Sequence, residues 1–134
     1  MKNHGLDLEK QKIDESIEDH LGGKNPPCVA LIPTSERIKY LPKGEIQRGK
    51  EDVMDCASRV YVNILEAKLT YLYANKLLPQ THLDFLVQFD VKGKIVISDA
   101  YIAIKSGTTR DGNSLKAPAD AIHRWGIVPK HLIP

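Results

Sequence analysis

Long apolar runs, cysteines and aromatic residues are all scarce in this chain, and each shortage excludes a class of protein. Only 6% of the residues are aromatic, and no stretch approaches the roughly 20 apolar residues of a membrane-spanning helix. The charged start, Met1–His4, lacks the apolar segment of a signal peptide. Cys28 and Cys56 alone are too few for a disulfide framework. We therefore predict a soluble protein kept in a reducing compartment, the cytoplasm, with no membrane partner.

Neither charge nor histidine points to a nucleic-acid or metal site. There are 19 Lys and Arg against 17 Asp and Glu, for a net charge of +2. Nucleic-acid binding needs a basic stripe that neutralises phosphates, and the sequence lacks one. The 5 histidines make no close pair with one another or with a cysteine, and no H-E-x-x-H motif is present. The sequence therefore predicts no nucleic-acid partner, no metal and no cofactor.

Residues 1–27 differ in composition from the rest of the chain. The segment Leu6–Leu21 is rich in charge, and Ile13, Ile17 and Leu21 recur every four residues, which predicts a helix with a thin apolar stripe. Gly22 and the residues after it are typical of a helix end and a linker. Two interpretations stay open: a weakly ordered leader, or an arm that docks on a partner or on its own domain.

The predicted domain spans residues 28–134 and opens with a short apolar run, Cys28–Ile32, which predicts a buried strand. Between Thr34 and Lys50 the chain is polar and contains proline and glycine. This composition predicts a loop with one extended piece at Ile38–Leu41.

A long central helix is the strongest local prediction. The acidic residues Glu51, Asp52 and Asp55 precede it, and Pro79 ends it after Leu78. Its apolar residues cover most of the circumference: Val60, Tyr61, Ile64, Leu65, Ala67, Leu69, Leu72 and Tyr73. The interruptions are Arg59, Asn63, Glu66 and Lys68. We expect Cys56 in the first turn, and a helix packed on several sides.

Shorter elements follow the central helix. Two apolar runs, Leu83–Phe89 and Lys94–Ile97, fit either two strands or a helix followed by a strand. Ser98 and Asp99 are typical of a helix N-cap, which predicts a helix over Ala100–Ser106. A last helix is predicted over Ala117–Trp125, since Gly126 follows it. The fold class is therefore predicted as α+β and mostly helical.

The position of Cys56 has chemical meaning. Unpaired N–H groups and the macrodipole at a helix N-terminus stabilise a thiolate, which is the nucleophile of cysteine hydrolases. Asp55 opposes this effect, because a neighbouring carboxylate favours the protonated thiol. From position alone, both a structural cysteine and a nucleophile remain open.

The order of several features resembles the N-terminal, helical half of papain-like cysteine peptidases. These features are Gln47, Cys56 with its helix, the Ser98-capped helix, the Gly112-Asn113 loop, the Ala117–Trp125 helix and the tail Gly126–Pro134. The passage from Ser106 to Pro134 is most similar to divergent papain-like domains of tailed phages. The resemblance covers about two-thirds of the chain, from Gln47 to Pro134.

The resemblance implies a thiol hydrolase of peptide or isopeptide bonds, present as an N-terminal half or a processed fragment, phage-encoded and associated with a virion. Cys56 would be the nucleophile, and Gln47 would donate its side-chain amide to the oxyanion. Gly112 and Asn113 would offer backbone groups to an extended peptide substrate. Two departures are evident: Gln47 lies nine positions before Cys56, which is longer than usual, and Ala57 replaces an aromatic residue.

The family's catalytic histidine and orienting asparagine follow the segment that resembles this chain. His123 and His131 are poor substitutes, so we expect the chain alone to be inactive. The family's β-rich half would also be absent, which leaves an apolar face of the central helix for that half or for another protein chain. Alternatives are a non-catalytic structural component of a phage virion or other assembly, and an unrelated soluble binding module. A phage protein would reside in the host cytoplasm or the virion.

Overall fold

The computed structural model describes residues 34–42 and 55–134 of the chain. Its helices are α1 (Thr34–Tyr40), α2 (Cys56–Ala74), α3 (Gln80–Leu86), α4 (Asp99–Lys105) and α5 (Lys116–Trp125). A 3-10 turn, Val87–Phe89, leads into the strands β1 (Asp90–Val91) and β2 (Lys94–Ile95). This part of the chain is mostly helical with a small antiparallel hairpin, as predicted for the fold class. The segments predicted over Leu6–Leu21 and Cys28–Ile32, and Gln47, lie outside the described residues.

The central helix α2 begins at Cys56, which confirms that this residue lies in the first turn. It ends at Ala74 and not at Leu78. The reason is local: Lys76 adopts a left-handed backbone conformation with φ of 53°, and the N–H of Leu77 bonds to the carbonyl of Leu72. A left-handed residue just after the last turn is a common way to end a helix.

The loop predicted between Thr34 and Lys50, with an extended piece at Ile38–Leu41, is wrong at its start, because α1 occupies Thr34–Tyr40. Contacts with distant residues stabilise this short helix. The ring of Tyr40 meets that of Tyr71 edge-on, with centroids 5.1 Å apart. Lys94 Nζ donates to the Leu41 carbonyl at 2.6 Å, next to the end of the helix. Most helical stability comes from such tertiary packing, which a local pattern does not reveal.

The two apolar runs after α2 follow the second of the predicted alternatives, helix then strand. Helix α3 and the 3-10 turn cover the first run, and β2 lies in the second. The turn between the strands places Lys92 and Gly93 at φ of 56° and 83°. Two consecutive positive φ values characterise the tight turn that matches the twist of a hairpin. Asp90 Oδ1 accepts from the N–H of Gly93 at 2.6 Å and closes this turn.

Residues 94–98 form the extended centre of the domain, and the tail pairs with one edge of them. The N–H of Val96 bonds to the Phe89 carbonyl, and the Val96 carbonyl accepts from the N–H of Lys130. The N–H of Ser98 bonds to the Val128 carbonyl at 2.9 Å. The tail is therefore held against the strand by backbone pairing, as the isolated bridge between Ile97 and Pro129 also shows.

Side chains of α2 occupy the other edge of this segment. Thr70 Oγ1 accepts from the N–H of Ile95 at 3.0 Å, and Glu66 Oε1 accepts from the N–H of Ile97 at 2.6 Å. Both polar side chains are buried, at 5% exposure for Glu66 and 2% for Thr70. An unpaired strand edge can pair with another chain. Here side chains of α2 accept from two N–H groups of that edge.

An apolar core surrounds this segment. Its buried members are Val62, Leu86, Phe89, Ile95, Ile97 and Ile102. They come from α2, α3, the 3-10 turn, the extended segment and α4, so one core joins these elements. Among the described residues, no helix is both long and apolar enough to cross a membrane.

The caps of the two last helices confirm the sequence-based prediction. Ser98 Oγ accepts from the N–H of Tyr101 at 3.0 Å and caps α4. Gly126, with φ of 76°, follows the last residue of α5. Both helices were predicted within one or two residues of their observed ends, since short polar and glycine residues act locally.

Two fully buried serines are expected to differ in their contribution to stability. Ser58 Oγ has no hydrogen-bond partner within the described residues, whereas Ser98 Oγ caps α4. We expect Ser58→Ala to leave the free energy of unfolding unchanged or raise it by up to about 1 kcal/mol, because an unsatisfied buried hydroxyl is removed. Ser98→Ala is expected to lower it by about 1–2 kcal/mol. Urea titrations followed by circular dichroism measure both, and an equal loss in the two variants would contradict the assignment.

Candidate functional site

Cys56 is the first residue of α2 and its side chain is half-buried. Asp55 precedes it in the N-cap position, but the Asp55 side chain makes no capping hydrogen bond to the helix. Cys56 therefore belongs to the first turn of a helix of 19 residues, whose first N–H groups have no partner within the helix. Such a terminus carries a partial positive charge that stabilises anions.

The carboxylate of Asp55 turns toward Arg59, one helical turn along α2. Arg59 Nε lies 2.9 Å from both Asp55 Oδ1 and Asp55 Oδ2. The Asp55 side chain is only 5% exposed, so the guanidinium compensates a buried charge. The negative charge expected to oppose a thiolate at Cys56 is thus paired with a cation.

The ion pair extends into a network that joins three elements. Arg59 Nη2 lies 3.1 Å from Asp99 Oδ2, and Lys130 Nζ lies 3.5 Å from Asp99 Oδ1. Asp99, in the first turn of α4, is 8% exposed in its side chain. The network therefore connects the start of α2 with α4 and with the tail. It holds the thiol-bearing end of α2 in place.

A cleft of about 610 Å³ opens between α2 and the hairpin. Its charged lining residues are Arg59, Lys92, Lys94, Lys130, Glu66 and Asp99. Neither Cys56 nor any histidine lies among the described residues that line it. The cleft is therefore not a site at which the predicted nucleophile meets a base.

The predicted substrate-binding residues lie in the loop between α4 and α5. Gly112 exchanges backbone hydrogen bonds with Thr109, at 3.1 and 3.2 Å. Asn113 is fully buried, and its Nδ2 donates to the Ser106 carbonyl, to Ser106 Oγ and to Thr108 Oγ1. The Gly112 backbone groups and the Asn113 amide thus shape this loop. A role in substrate binding stays a prediction.

The histidines of the described part of the chain, His82, His123 and His131, are all exposed. No cluster of His, Cys, Asp or Glu that could hold a metal ion is found within residues 34–42 and 55–134. Gln47, the predicted oxyanion donor, lies outside those residues. The structure therefore locates Cys56 at the start of α2. The roles of Gln47 and of a histidine base stay predictions.

Sequence reasoning missed three polar contacts made by residues of α2. The spacing of four residues between Asp55 and Arg59 is a helical ion-pair signal that could have been recognised. Nothing local links Arg59 with Asp99, or Glu66 with Ile97, because these pairs are distant in the chain. Glu66 was assigned to the polar interruptions of the helix, yet it belongs to the buried face.

An apolar stripe on α2 remains accessible. We define the open stripe as Val60 and Ile64, which are 46% and 62% exposed and lie one turn apart on the same face. Helix α1 covers the continuation of this face, at Tyr71 and Asn75.

Comparison with family models, with curated proteins and with solved structures finds no match to this chain.

Proposed function

We propose that this chain is the nucleophile-bearing helical half of a papain-like thiol hydrolase that cleaves peptide or isopeptide bonds. The observation that carries the proposal is the half-buried thiol of Cys56 at the first residue of α2, beside an Asp55 carboxylate that is paired with Arg59. The first N–H groups of α2 have no partner within the helix, so they are the proposed donors to the oxyanion. Gln47 is the proposed second donor to that oxyanion.

The order of the elements after Cys56 supports the same proposal. A capped helix, the loop with Gly112 and Asn113, helix α5 and an extended tail follow α2 in the order that the family resemblance implies. The tail returns to the centre through the bridge between Ile97 and Pro129. These contacts join the elements into one body, in which Cys56 is the first residue of the central helix.

A base is needed to complete the chemistry, because a thiol hydrolase requires an imidazole within hydrogen-bond reach of sulfur. We propose that a histidine and an orienting asparagine come from a second body, either a further segment of the polypeptide or another protein chain. The open stripe of Val60 and Ile64 is the proposed docking face for that body. Its exposed apolar groups begin one turn after Cys56.

The thiol of Cys56 is expected to react faster with iodoacetamide than an ordinary surface thiol, without peptide hydrolysis by the chain alone. In a Cys28→Ser background, we expect its alkylation rate to exceed that of a control thiol severalfold, as the proposal of a nucleophile at the start of α2 requires. The matched control carries Cys56→Ser and Lys68→Cys, which moves the thiol to an exposed position within the same helix. Peptide mapping by mass spectrometry measures both rates.

Two outcomes would count against the proposal. One is equal alkylation of Cys56 and of the control thiol at position 68. The other is peptide turnover that persists in Cys56→Ser, since the hydrolysis would then use another group.

A non-catalytic component of a phage virion or other assembly is the second candidate. Its support is the open stripe, an exposed apolar face on the central helix. Sedimentation velocity distinguishes the two when it is combined with the alkylation rates. A chain that self-associates through Val60 and Ile64, and whose Cys56 reacts at the control rate, would favour this second candidate.

A further inference from the structure

A patch of aromatic, aliphatic and basic side chains, mostly exposed, lies where α4 and α5 contact each other. We define the basic aromatic patch as Tyr101, Ile104, Lys105, Arg124 and Trp125. Trp125 is 50% exposed and Ile104 is 70% exposed. The Tyr101 hydroxyl donates to the Trp125 carbonyl at 3.3 Å and ties the two helices together.

Two cations flank the indole ring of Trp125. Lys105 Nζ lies 5.0 Å from the centroid of that ring, and Arg124 Cζ lies 4.9 Å from it. Lys105 Nζ also lies 5.7 Å from the ring of Tyr101. The patch thus combines apolar area with positive charge, and tryptophan and arginine are residues that anchor protein interfaces. Its chemistry fits an apolar helix that carries carboxylates.

The patch carries two cations, Lys105 and Arg124, and one exposed carboxylate, Asp120, lies one turn before Arg124 on α5. Asp99 of α4 is buried against Arg59 and Lys130. The open stripe on α2 is also apolar, but the cation–ring contacts of the described residues all lie at the patch. An acidic and apolar occupant therefore matches the patch better than the stripe.

The sequence of this chain contains such an occupant. In Leu6–Leu21, the apolar residues Ile13, Ile17 and Leu21 share one face of a predicted helix. The charged residues of the segment are mostly acidic: Asp7, Glu9, Asp14, Glu15, Glu18 and Asp19, against Lys10 and Lys12. Residues 22–33, which include the strand predicted over Cys28–Ile32, separate the segment from α1 and span up to about 40 Å when fully extended. That length exceeds the diameter of a domain of this size, roughly 35 Å.

We propose that the segment Leu6–Leu21 docks on the basic aromatic patch of its own chain. Its apolar stripe contacts Ile104 and Trp125, and its carboxylates face Lys105 and Arg124. Intramolecular docking needs little intrinsic affinity, because the linker keeps the segment at a high effective concentration. The contact is electrostatic in part, so it weakens as salt is added.

The fluorescence of Trp125 tests this proposal directly, because the chain contains 1 tryptophan. We compare acrylamide quenching of the full chain with that of a variant carrying Ile13→Ser, Ile17→Ser and Leu21→Ser. The variant is expected to show an about twofold larger quenching constant, because the ring loses its cover. Added sodium chloride is expected to raise the quenching of the unmodified chain toward the value of the variant. The matched control is Ile64→Ser on the open stripe, which is expected to leave the quenching unchanged.

A peptide of residues 6–21 provides the second measurement. Added to the triple-serine variant, it is expected to restore protection of Trp125, which also shows that the variant has kept its fold. Equal quenching in the full chain and the variant, with no effect of the peptide, would overturn the proposal. Protection that disappears on dilution of the unmodified chain would also overturn it, because the occupant would then be a second copy.

Discussion

Glu66→Ala is expected to lower the free energy of unfolding by about 3 kcal/mol. The substitution removes the acceptor of the Ile97 N–H, which lies at the centre of the domain and bonds to Glu66 Oε1 at 2.6 Å. A buried N–H without an acceptor costs about 1–3 kcal/mol, and hydrogen bonds to charged groups lie at the upper end of that range. Truncation of the 5%-exposed side chain also enlarges the cleft that Glu66 lines together with Val62.

Glu66→Gln is the matched control, since glutamine keeps an oxygen at the same distance along the side chain. We expect a loss of about 1 kcal/mol or less for this variant, because the amide oxygen still accepts from the Ile97 N–H. Urea titrations measure both losses of unfolding free energy, provided that the variants have the same m value. Amide hydrogen exchange is expected to quicken at Ile97 in Glu66→Ala and to remain slow in Glu66→Gln. Equal stability of the two variants would mean that the hydrogen bond does not contribute as described.

Predictions from the sequence were accurate where residues act on their own neighbours. The start of α2 at Cys56, the Ser98 cap of α4 and the glycine after α5 were all expected. Each of these features depends on chemistry within one turn of chain: a hydroxyl that accepts from a nearby N–H, or a residue that tolerates positive φ. Such signals are available without knowledge of the tertiary structure.

Elements that depend on distant contacts were not predicted. Helix α1 was assigned to a loop with an extended piece, because its stabilising partners Tyr71 and Lys94 lie more than thirty positions away. The polar residues Glu66 and Thr70 were not expected in the buried face of α2, where each accepts from a strand N–H. A polar pair spaced by four residues on a core helix could signal such a sealed strand edge. The periodicity of apolar residues alone does not reveal such a polar pair.

The candidate site follows the same division. Cys56 at the start of a long helix was predicted from local pattern, and the pairing of Asp55 with Arg59 follows the four-residue spacing of helical ion pairs. The connection of Arg59 to Asp99 and of Asp99 to Lys130 needed the folded chain, because α4 and the tail supply those groups. The electrostatic surroundings of the thiol thus depend on tertiary structure, while its placement on the helix does not.

Arg59→Met is expected to lower the free energy of unfolding by about 3 kcal/mol. The guanidinium bonds to Asp55 at 2.9 Å and to Asp99 at 3.1 Å, and both carboxylates are nearly buried. Removing one partner of a buried ion pair costs about 3–5 kcal/mol, and the lower end applies because Arg59 is 21% exposed and Asp99 retains Lys130. Thermal and urea unfolding measure the loss.

Arg59→Lys and a double variant separate charge from geometry. A lysine is a point charge that cannot reach both carboxylates with a planar fork, so Arg59→Lys is expected to lose about half as much stability as Arg59→Met. Combining Arg59→Met with Asp99→Asn is expected to recover part of the loss, because one buried charge is removed together with its partner. A double variant less stable than the sum of its single changes would contradict the ion-pair description.

Arg59→Met also connects the network to the proposed chemistry. Without the guanidinium, the carboxylate of Asp55 loses the cation bonded to it at 2.9 Å, and its negative charge acts more strongly on the neighbouring Cys56. We therefore expect slower alkylation of Cys56 in folded Arg59→Met than in the unmodified chain, measured well below the unfolding transition. In the double variant with Asp99→Asn, alkylation of Cys56 is expected to stay slow, since Asp55 still lacks the guanidinium of Arg59. Alkylation of Arg59→Met at the unmodified rate would show that Arg59 only stabilises the fold and does not prepare the thiol.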